Sequence, residues 1–374
     1  MERELLIAQM IREVSAQGKQ NIENSKELTG SLVDLYMKNN YRDVTIVACG
    51  SSYNGANCGR TFMEKVLKCK VRVLSPENFE FYDNLIYDDE MLCVVSFSGA
   101  STNSISALER IKSQGRCAVG ITGYPESDFK YIADLCIEYG LNGENEPYET
   151  KGVTLLALYF MLFSLEAGLQ RGTITEEEYK NYKKEMLCCM DAHDDVMMRT
   201  TDFVKKHKIP LIGMQTAVFV GSGAALALSL EAKLKFGELL KINTDACELE
   251  EYIHGPAIKL QPGHVVFYLD SSKKTRERTV QIYNASKEIT PFSFLLTPDK
   301  SVTGDNVFHL PIEVSDALIP LYALVFYQQA VHDLTYMRHC FSEHELYRKF
   351  TEMVPSKSTK YNKAYLEMLK TTKD

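Results

Sequence analysis

The 374-residue sequence contains no CxxC pair and no evenly spaced cysteine framework, although it has ten cysteines. Several cysteines lie within apolar stretches, as Cys49 and Cys93 do, where the residue acts as a small hydrophobe. This pattern argues against a disulfide scaffold. It is typical of free thiols in a reducing compartment, so we expect a cytoplasmic protein.

The sequence also lacks an excess of positive charge and a targeting segment. Its 42 Lys and Arg residues against 50 Asp and Glu give a net charge of −8, which argues against wholesale binding of nucleic acid or an anionic membrane. The N-terminal residues MERELLIAQMIREV are charged throughout and have no apolar signal-peptide region. The apolar stretch 152–165 is short for a membrane span, and the uncharged stretch 209–230 is interrupted by proline and glycines. We therefore expect no membrane span.

The order of apolar patterns predicts an α/β protein with two domains. Strands that are apolar throughout and alternate with helices are typical of a parallel sheet covered on both faces. The strand candidates of a first block are Val44–Ala48, Val71–Leu74, Met91–Ser96, Cys117–Thr122 and Leu135–Tyr139. After a helical segment from Lys151 to Lys206, a second block offers Val218–Val220, Val265–Leu269, Phe292–Leu296 and Val307–Leu310.

The second block repeats the plan of the first. A glycine turn follows the first strand of each block, and the interval from Gly50 to Val94 equals that from Gly221 to Val265. We therefore predict N-terminal helices at 1–40, a first α/β domain at 41–170, a helical connector at 171–206, a second α/β domain at 207–340 and a C-terminal tail at 341–374.

Hydroxyl side chains follow two strands of the first block. The segment SFSGAST (96–102) comes directly after a buried strand and opens a helix, and CGSS (49–52) ends the neighbouring strand. Helix N-termini offer free N–H groups and a positive dipole end, which favour a phosphate. A serine there can equally be only a helix cap. Because ligands of open parallel sheets bind at the carboxyl ends of strands, the two clusters together favour a phosphate site.

Nucleotide and metal motifs are not found. Neither hydroxyl cluster matches G-x-x-x-x-G-K-[ST], and Leu226 stands where the third glycine of a dinucleotide fingerprint is expected. His339, Cys340 and His344 lie close together in sequence, but without a carboxylate set or a second cysteine pair they do not predict a metal site. We therefore expect no cofactor and no metal.

Five motifs, in this order, resemble those of the tandem sugar-isomerase (SIS) domain family. They are CGSSYN (49–54), SFSGAST (96–102), ETKG (149–152), SLEAKLKFGE (229–238) and ELEEYIHGP (248–256). The family includes the isomerase half of glucosamine-6-phosphate synthase and the deglycases of fructoselysine 6-phosphate and glucoselysine 6-phosphate. The resemblance covers about residues 40–340. It implies two SIS domains, each a parallel sheet between helix layers in the flavodoxin-like α/β/α arrangement.

The resemblance also implies roles for single residues. Glu238 matches the proton-transferring glutamate, with Lys235 as its lysine, although Lys233 is close enough in sequence to take that role. His254 matches the histidine that assists ring opening from the other subunit of a dimer. The implied phosphate contacts are Ser52, Ser96, Ser98 and Ser101, with Ser51 as a further candidate. Taken without the family, Glu238 and Lys235 could be a surface ion pair and His254 a turn residue.

Three features depart from the family pattern. Phe97 and Ala100 stand where relatives often have glutamine and glutamate, so we expect one polar phosphate contact to be missing. The C-terminal catalytic lysine of relatives has no clear counterpart, and Lys357 is the candidate. The sequence shows no N-terminal glutaminase domain, so we do not expect a complete glutamine-dependent amidotransferase.

The resemblance thus predicts a phosphosugar isomerase or deglycase. The expected substrate is a 6-phosphorylated ketosamine or amino sugar, converted by proton transfer through an enediol or enaminol. The expected assembly is a homodimer with shared active sites. Two alternatives stay open: a simple aldose–ketose isomerase and a non-catalytic phosphosugar-binding regulator. The presence of both Glu238 and His254 favours an enzyme, because a sensor needs a phosphate-binding site but no catalytic base.

Overall fold

The computed structural model describes residues 2–83, 85–144, 149–341, 344–358 and 360–362. Within them the helices are α1 Glu2–Glu23, α2 Ser25–Lys38, α3 Gly50–Leu67, α4 Pro76–Phe81, α5 Thr102–Ser113, α6 Phe129–Ile132, α7 Lys151–Arg171, α8 Glu176–Lys206, α9 Lys208–Gly213, α10 Ala224–Leu240, α11 Leu249–Ile253, α12 Arg276–Lys287, α13 Pro320–Arg338 and α14 Tyr347–Met353. The strands are β1 Asp43–Val47, β2 Val71–Leu74, β3 Glu90–Val95, β4 Val119–Thr122, β5 Leu135–Glu138, β6 Thr216–Gly221, β7 Asn243–Glu248, β8 Val265–Leu269, β9 Ser293–Thr297 and β10 Val307–His309. Short 3-10 helices span Pro256–Lys259 and Asp316–Leu318.

The strands form two five-stranded sheets. The first has the order β2-β1-β3-β4-β5, and the second, read from its opposite edge, has the order β7-β6-β8-β9-β10. Neighbouring strands are parallel in both sheets. The strand order is therefore the same in the two sheets, and the predicted α/β class is confirmed.

The chain divides into two compact units, each built on one sheet. The first-sheet unit contains residues 17–180 and the described part of the C-terminal segment, 344–362. The second-sheet unit contains residues 181–341 and the N-terminal residues up to Ala16. The C-terminal segment therefore belongs to the unit that carries the predicted phosphate serines.

Helix α7 forms much of the core of the first-sheet unit. Its residues from Lys151 to Gly168 are all buried. The helix is longer than the apolar stretch seen in the sequence, and by length and composition it could cross a membrane. However, 94% of its apolar window is buried inside the protein, as in the core helix of a soluble protein.

Two glycines bring α7 against α3. A Cβ atom at Gly55 would lie 3.1 Å from the carbonyl oxygen of Val153, and one at Gly59 would lie 3.1 Å from Phe160 Cβ. Such distances are tighter than most real Cβ contacts, so a side chain at either position would push its neighbours on α7 away by a few tenths of an ångström. Since successive contacts advance in the same direction along both helices, the N-terminus of α7 lies beside the N-terminus of α3.

Every strand except β7 lies where the apolar pattern predicts one. Strand β7 begins with the polar residues Asn243, Thr244 and Asp245, which give no apolar run. It is an edge strand, paired only with β6, and most of its side chains are partly or fully exposed. Its position matters because the chain passes directly from β7 into α11 and then to His254.

Candidate active site

The predicted phosphate serines lie together at the carboxyl ends of β1 and β3, which are neighbours in the first sheet. Ser52 is in the first turn of α3, and its Oγ accepts a hydrogen bond from the backbone N–H of Phe97 at 3.2 Å. Ser96 Oγ donates to Ser101 Oγ at 3.1 Å. Ser101 is the N-cap residue of α5, so the positive end of that helix dipole lies at the group. We call Ser51, Ser52, Ser96, Ser98 and Ser101 the serine cluster.

The loop that holds Ser96 and Ser98 turns at Gly99, whose φ is +60°. A Cβ atom at this position would lie 1.8 Å from Ser127 Oγ and 2.8 Å from Thr122 Oγ1. The loop therefore packs directly on the chain that follows β4. Only glycine satisfies both the backbone conformation and the lack of space.

We expect Gly99→Ala to lower the free energy of unfolding by about 3 kcal/mol, because left-handed strain and a steric clash add. Gly115→Ala is the matched control, since Gly115 has φ +69° but no atom near the position of its missing Cβ. That variant should lose only about 1 kcal/mol. Urea denaturation of both variants measures the difference, and equal losses would show that the Gly99 loop is not tightly packed.

The C-terminal segment adds a positive charge to the serine cluster. Lys357 forms an antiparallel bridge with Ser101. Its Nζ donates to Ser98 Oγ at 2.7 Å and to Ser101 Oγ at 3.3 Å. The backbone on either side is also fixed, because Thr102 N–H bonds to the Ser356 carbonyl and Ser358 N–H to that of Ala100. Buried hydroxyls, an ammonium group and a helix N-terminus thus meet at one point.

Two carboxylates anchor the chain beyond Lys357. Glu109, on α5, accepts hydrogen bonds from Lys360 Nζ and from the Tyr361 hydroxyl. Asp128 accepts from the backbone N–H of Asn362 at 3.0 Å. Neither carboxylate lies in a sequence motif, so the sequence alone did not indicate their role. They hold the segment whose lysine contacts the serine cluster.

The start of α7 carries two buried glutamates with different partners. Glu144 accepts hydrogen bonds from the backbone N–H groups of Thr150, Lys151 and Gly152 at 2.7, 2.9 and 2.8 Å, and so caps the helix. Burial raises the pKa of its carboxyl, although these three bonds oppose the shift. The second, Glu149, accepts from Ser52 Oγ at 3.4 Å. The capping of α7 and the contact with the serine cluster are therefore made by separate carboxylates.

In the second-sheet unit, three charged residues lie on one face of α10. Lys235 is buried, and its Nζ lies 3.1 Å from Glu238 Oε2 and 3.8 Å from Glu231 Oε1. Glu231 is fully buried, whereas 37% of the Glu238 side chain is exposed. Lys235 thus forms ion pairs with the buried carboxylate of Glu231 and with the accessible carboxylate of Glu238. Glu231 lies within the SLEAKLKFGE motif but was not singled out from the sequence.

His254 ends α11, where its backbone N–H bonds to the Glu251 carbonyl. Glu248 is the N-cap residue of this helix, and its side chain accepts hydrogen bonds from the N–H groups of Glu250 and Glu251. The His254 side chain is exposed. Among the described residues, no hydrogen bond or ion pair joins His254 to Glu238.

Comparison with known proteins extends this description. No protein-family model matches the chain. A glutamine–fructose-6-phosphate aminotransferase (isomerizing) of Clostridium tetani is 28% identical over 277 residues, which are 72% of this chain and 42% of that enzyme. The chain thus spans less than half the length of this relative.

Two solved structures have the same fold. A protein of Clostridium difficile 630, provisionally described as a phosphosugar isomerase, superposes with a TM-score of 0.85 at 20% identity, covering 94% of this chain and 99% of that one. The C-terminal domain of glucosamine–fructose-6-phosphate aminotransferase from Francisella tularensis gives a TM-score of 0.81 at 19% identity, with 89% and 96% covered. Together, the sequence relative and these folds confirm the resemblance to the SIS domain family.

Proposed function

We propose that the protein is a phosphosugar isomerase or deglycase that binds the phosphate of a 6-phosphosugar at the serine cluster. The main support for the proposal is that Lys357 Nζ donates hydrogen bonds to the hydroxyls of Ser98 and Ser101 at the start of α5. A phosphate monoester needs hydrogen-bond donors and a compensating charge. The serine hydroxyls, the helix N-terminus and the ammonium group supply all of these.

The reaction we propose is proton transfer between C1 and C2 of the sugar. His254 passes a proton to or from the ring oxygen and so opens the ring. The Glu238 carboxylate then takes a proton from one carbon and returns it to the other through an enediol or enaminol. Lys235, 3.1 Å from Glu238, holds that carboxylate in place. Phosphate binding holds the sugar in a fixed orientation, which lowers the entropic cost of the transfer.

With a ketosamine 6-phosphate the same transfer leads to deglycation. Moving a proton from C1 to C2, while the amine N–H proton passes to O2, converts the ketosamine into the imine of the aldose. Water then adds to the imine, and the adduct releases glucose 6-phosphate and the free amine. We propose a cytoplasmic homodimer for this activity, in which the exposed His254 acts at the partner's site.

The direct test is a turnover screen with the full chain. The panel contains fructoselysine 6-phosphate, glucoselysine 6-phosphate, fructose 6-phosphate and glucosamine 6-phosphate, and calorimetry measures binding in parallel. We expect turnover of at least one ketosamine or amino sugar. Turnover of fructose 6-phosphate alone would indicate a simple aldose–ketose isomerase. Tight binding without product from any of the four would instead favour a phosphosugar sensor.

The phosphate contacts can be tested by Ser98→Ala combined with Ser101→Ala. Removing two hydroxyls that donate to a charged group should raise KM for the preferred phosphosugar at least about tenfold. Ser113→Ala is the matched control, because Ser113 lies at the other end of α5 and bonds only locally to the Arg110 carbonyl in the described structure. An unchanged KM in the double variant would place the phosphate elsewhere.

A further inference from the structure

Glu149 is a buried carboxylate in contact with the serine cluster. Its side chain is 8% exposed, and its Oε2 lies 3.4 Å from Ser52 Oγ. Ser52 Oγ accepts a hydrogen bond from Phe97 N–H on its other side, so the hydroxyl proton is directed to Glu149. Ser52 thus links the serine cluster to Glu149.

The other buried glutamate makes the capping bonds of α7. Glu144 already accepts the N–H groups of Thr150, Lys151 and Gly152, which are the first donors of the helix. Glu149 reaches the cluster because the paired glycines of α3, Gly55 and Gly59, let the two helix N-termini lie side by side. The same packing that builds the core thus places a carboxylate beside the serine cluster.

A carboxylate beside a phosphate site is unfavourable for the phosphate alone, because like charges in a partly buried site repel. It is favourable when the ligand presents a hydrogen-bond donor next to its phosphate. Such a donor is a sugar hydroxyl or, with a stronger interaction, an ammonium group. The charge therefore discriminates between ligands that carry such a donor and simple anions.

We infer that Glu149 is a specificity-determining residue that accepts a hydrogen bond from a hydroxyl or amine of the bound phosphosugar. This inference rests on the proposed function, since it assumes that the phosphate occupies the serine cluster. It adds a contact that none of the sequence motifs assigned. Glu149 contacts the hydroxyl or amine groups on the carbon chain of the ligand. The phosphate is bound by Lys357, Ser98 and Ser101.

The test is calorimetric titration of the full-length wild type and Glu149→Gln with inorganic phosphate, fructose 6-phosphate and glucosamine 6-phosphate. The variant keeps the shape of the side chain and removes its charge. We expect it to bind inorganic phosphate as tightly as the wild type or up to about threefold more tightly. It should bind glucosamine 6-phosphate about tenfold more weakly, and fructose 6-phosphate should fall between these limits.

Two further variants make the result specific. Glu64→Gln removes the same charge from the last turn of α3, far from the serine cluster, and should leave all three affinities unchanged. Glu149→Asp keeps the charge and should retain the ratio of sugar phosphate to phosphate affinity within about threefold. A ratio unchanged by Glu149→Gln would overturn this inference and leave the proposed function intact. Failure of the wild type to bind any of the three probes would overturn both.

Discussion

Replacing Glu238 by glutamine should lower kcat for the preferred phosphosugar by about a thousandfold, because the amide cannot accept the carbon-bound proton. KM should change little, since the phosphate contacts lie on other residues. The variant should still fold, because the buried Lys235 ammonium keeps Glu231 as a partner at 3.8 Å. Steady-state kinetics give both parameters. Exchange of the C1 or C2 proton with deuterated water, followed by NMR, reports the proton transfer directly.

The matched control for Glu238 is Glu288→Gln. Glu288 is an exposed carboxylate that follows α12 in the same unit, so its replacement makes the same change in net charge. It should leave kcat and KM unchanged. Turnover at the wild-type rate by Glu238→Gln would show that another group is the base.

Replacing Lys357 by methionine should raise KM for the phosphosugar between about tenfold and a hundredfold, since a charge-assisted contact with the phosphate is lost. Methionine keeps most of the length of the side chain. The backbone around position 357 should remain in place, because it is fixed by Ser101, Thr102 and Ala100 and anchored further on by Glu109 and Asp128. The loss would therefore report the ammonium group and not the detachment of the segment.

Two further variants serve as controls for Lys357→Met. Lys357→Arg keeps the charge and should recover part of the affinity, although its planar group does not reproduce the contact with Ser98. Lys349→Met removes a charge from the exposed helix α14 of the same segment and should have no effect. Binding of inorganic phosphate by Lys357→Met with wild-type affinity, measured by calorimetry, would remove Lys357 from the site.

The strands could be predicted wherever they are buried on both faces. Val265–Leu269 is apolar throughout, and its predicted bounds are those of β8. Strand β7 escaped prediction because its first residues, Asn243–Asp245, are polar and at least partly exposed, so they carry no apolar signal. The missed strand matters for the candidate site, because β7 leads directly to α11 and His254.

The candidate site could be predicted only where its signal is local. The serines at 96, 98 and 101 follow directly after a strand and open a helix, so position alone indicates a shared role. The contact of Lys357 with Ser98 joins residues 259 positions apart and leaves no local pattern. Lys357 could be proposed only from the family resemblance. Glu109 and Asp128, which bond Lys360, Tyr361 and Asn362 and so anchor the segment, could not be proposed at all.

The contacts of charged residues inside the recognised motifs also could not be predicted from the sequence. Glu149 and Glu231 lie in motifs quoted from the sequence, yet their positions in those motifs do not reveal what they contact. Glu231 becomes meaningful only when its distance of 3.8 Å from Lys235 is known. Glu149 depends on the approach of two helices through Gly55 and Gly59, which is a property of packing and not of local pattern.

The bridge between Ser101 and Lys357 has a consequence for biosynthesis. A polypeptide emerges from the ribosome with its N-terminus first, and domains generally fold as they emerge. The hydroxyls can be in place long before the cation that completes them has been translated. A product that ends before residue 357 therefore lacks the ammonium group beside the serine cluster. In the proposed function, such a product binds the phosphosugar weakly.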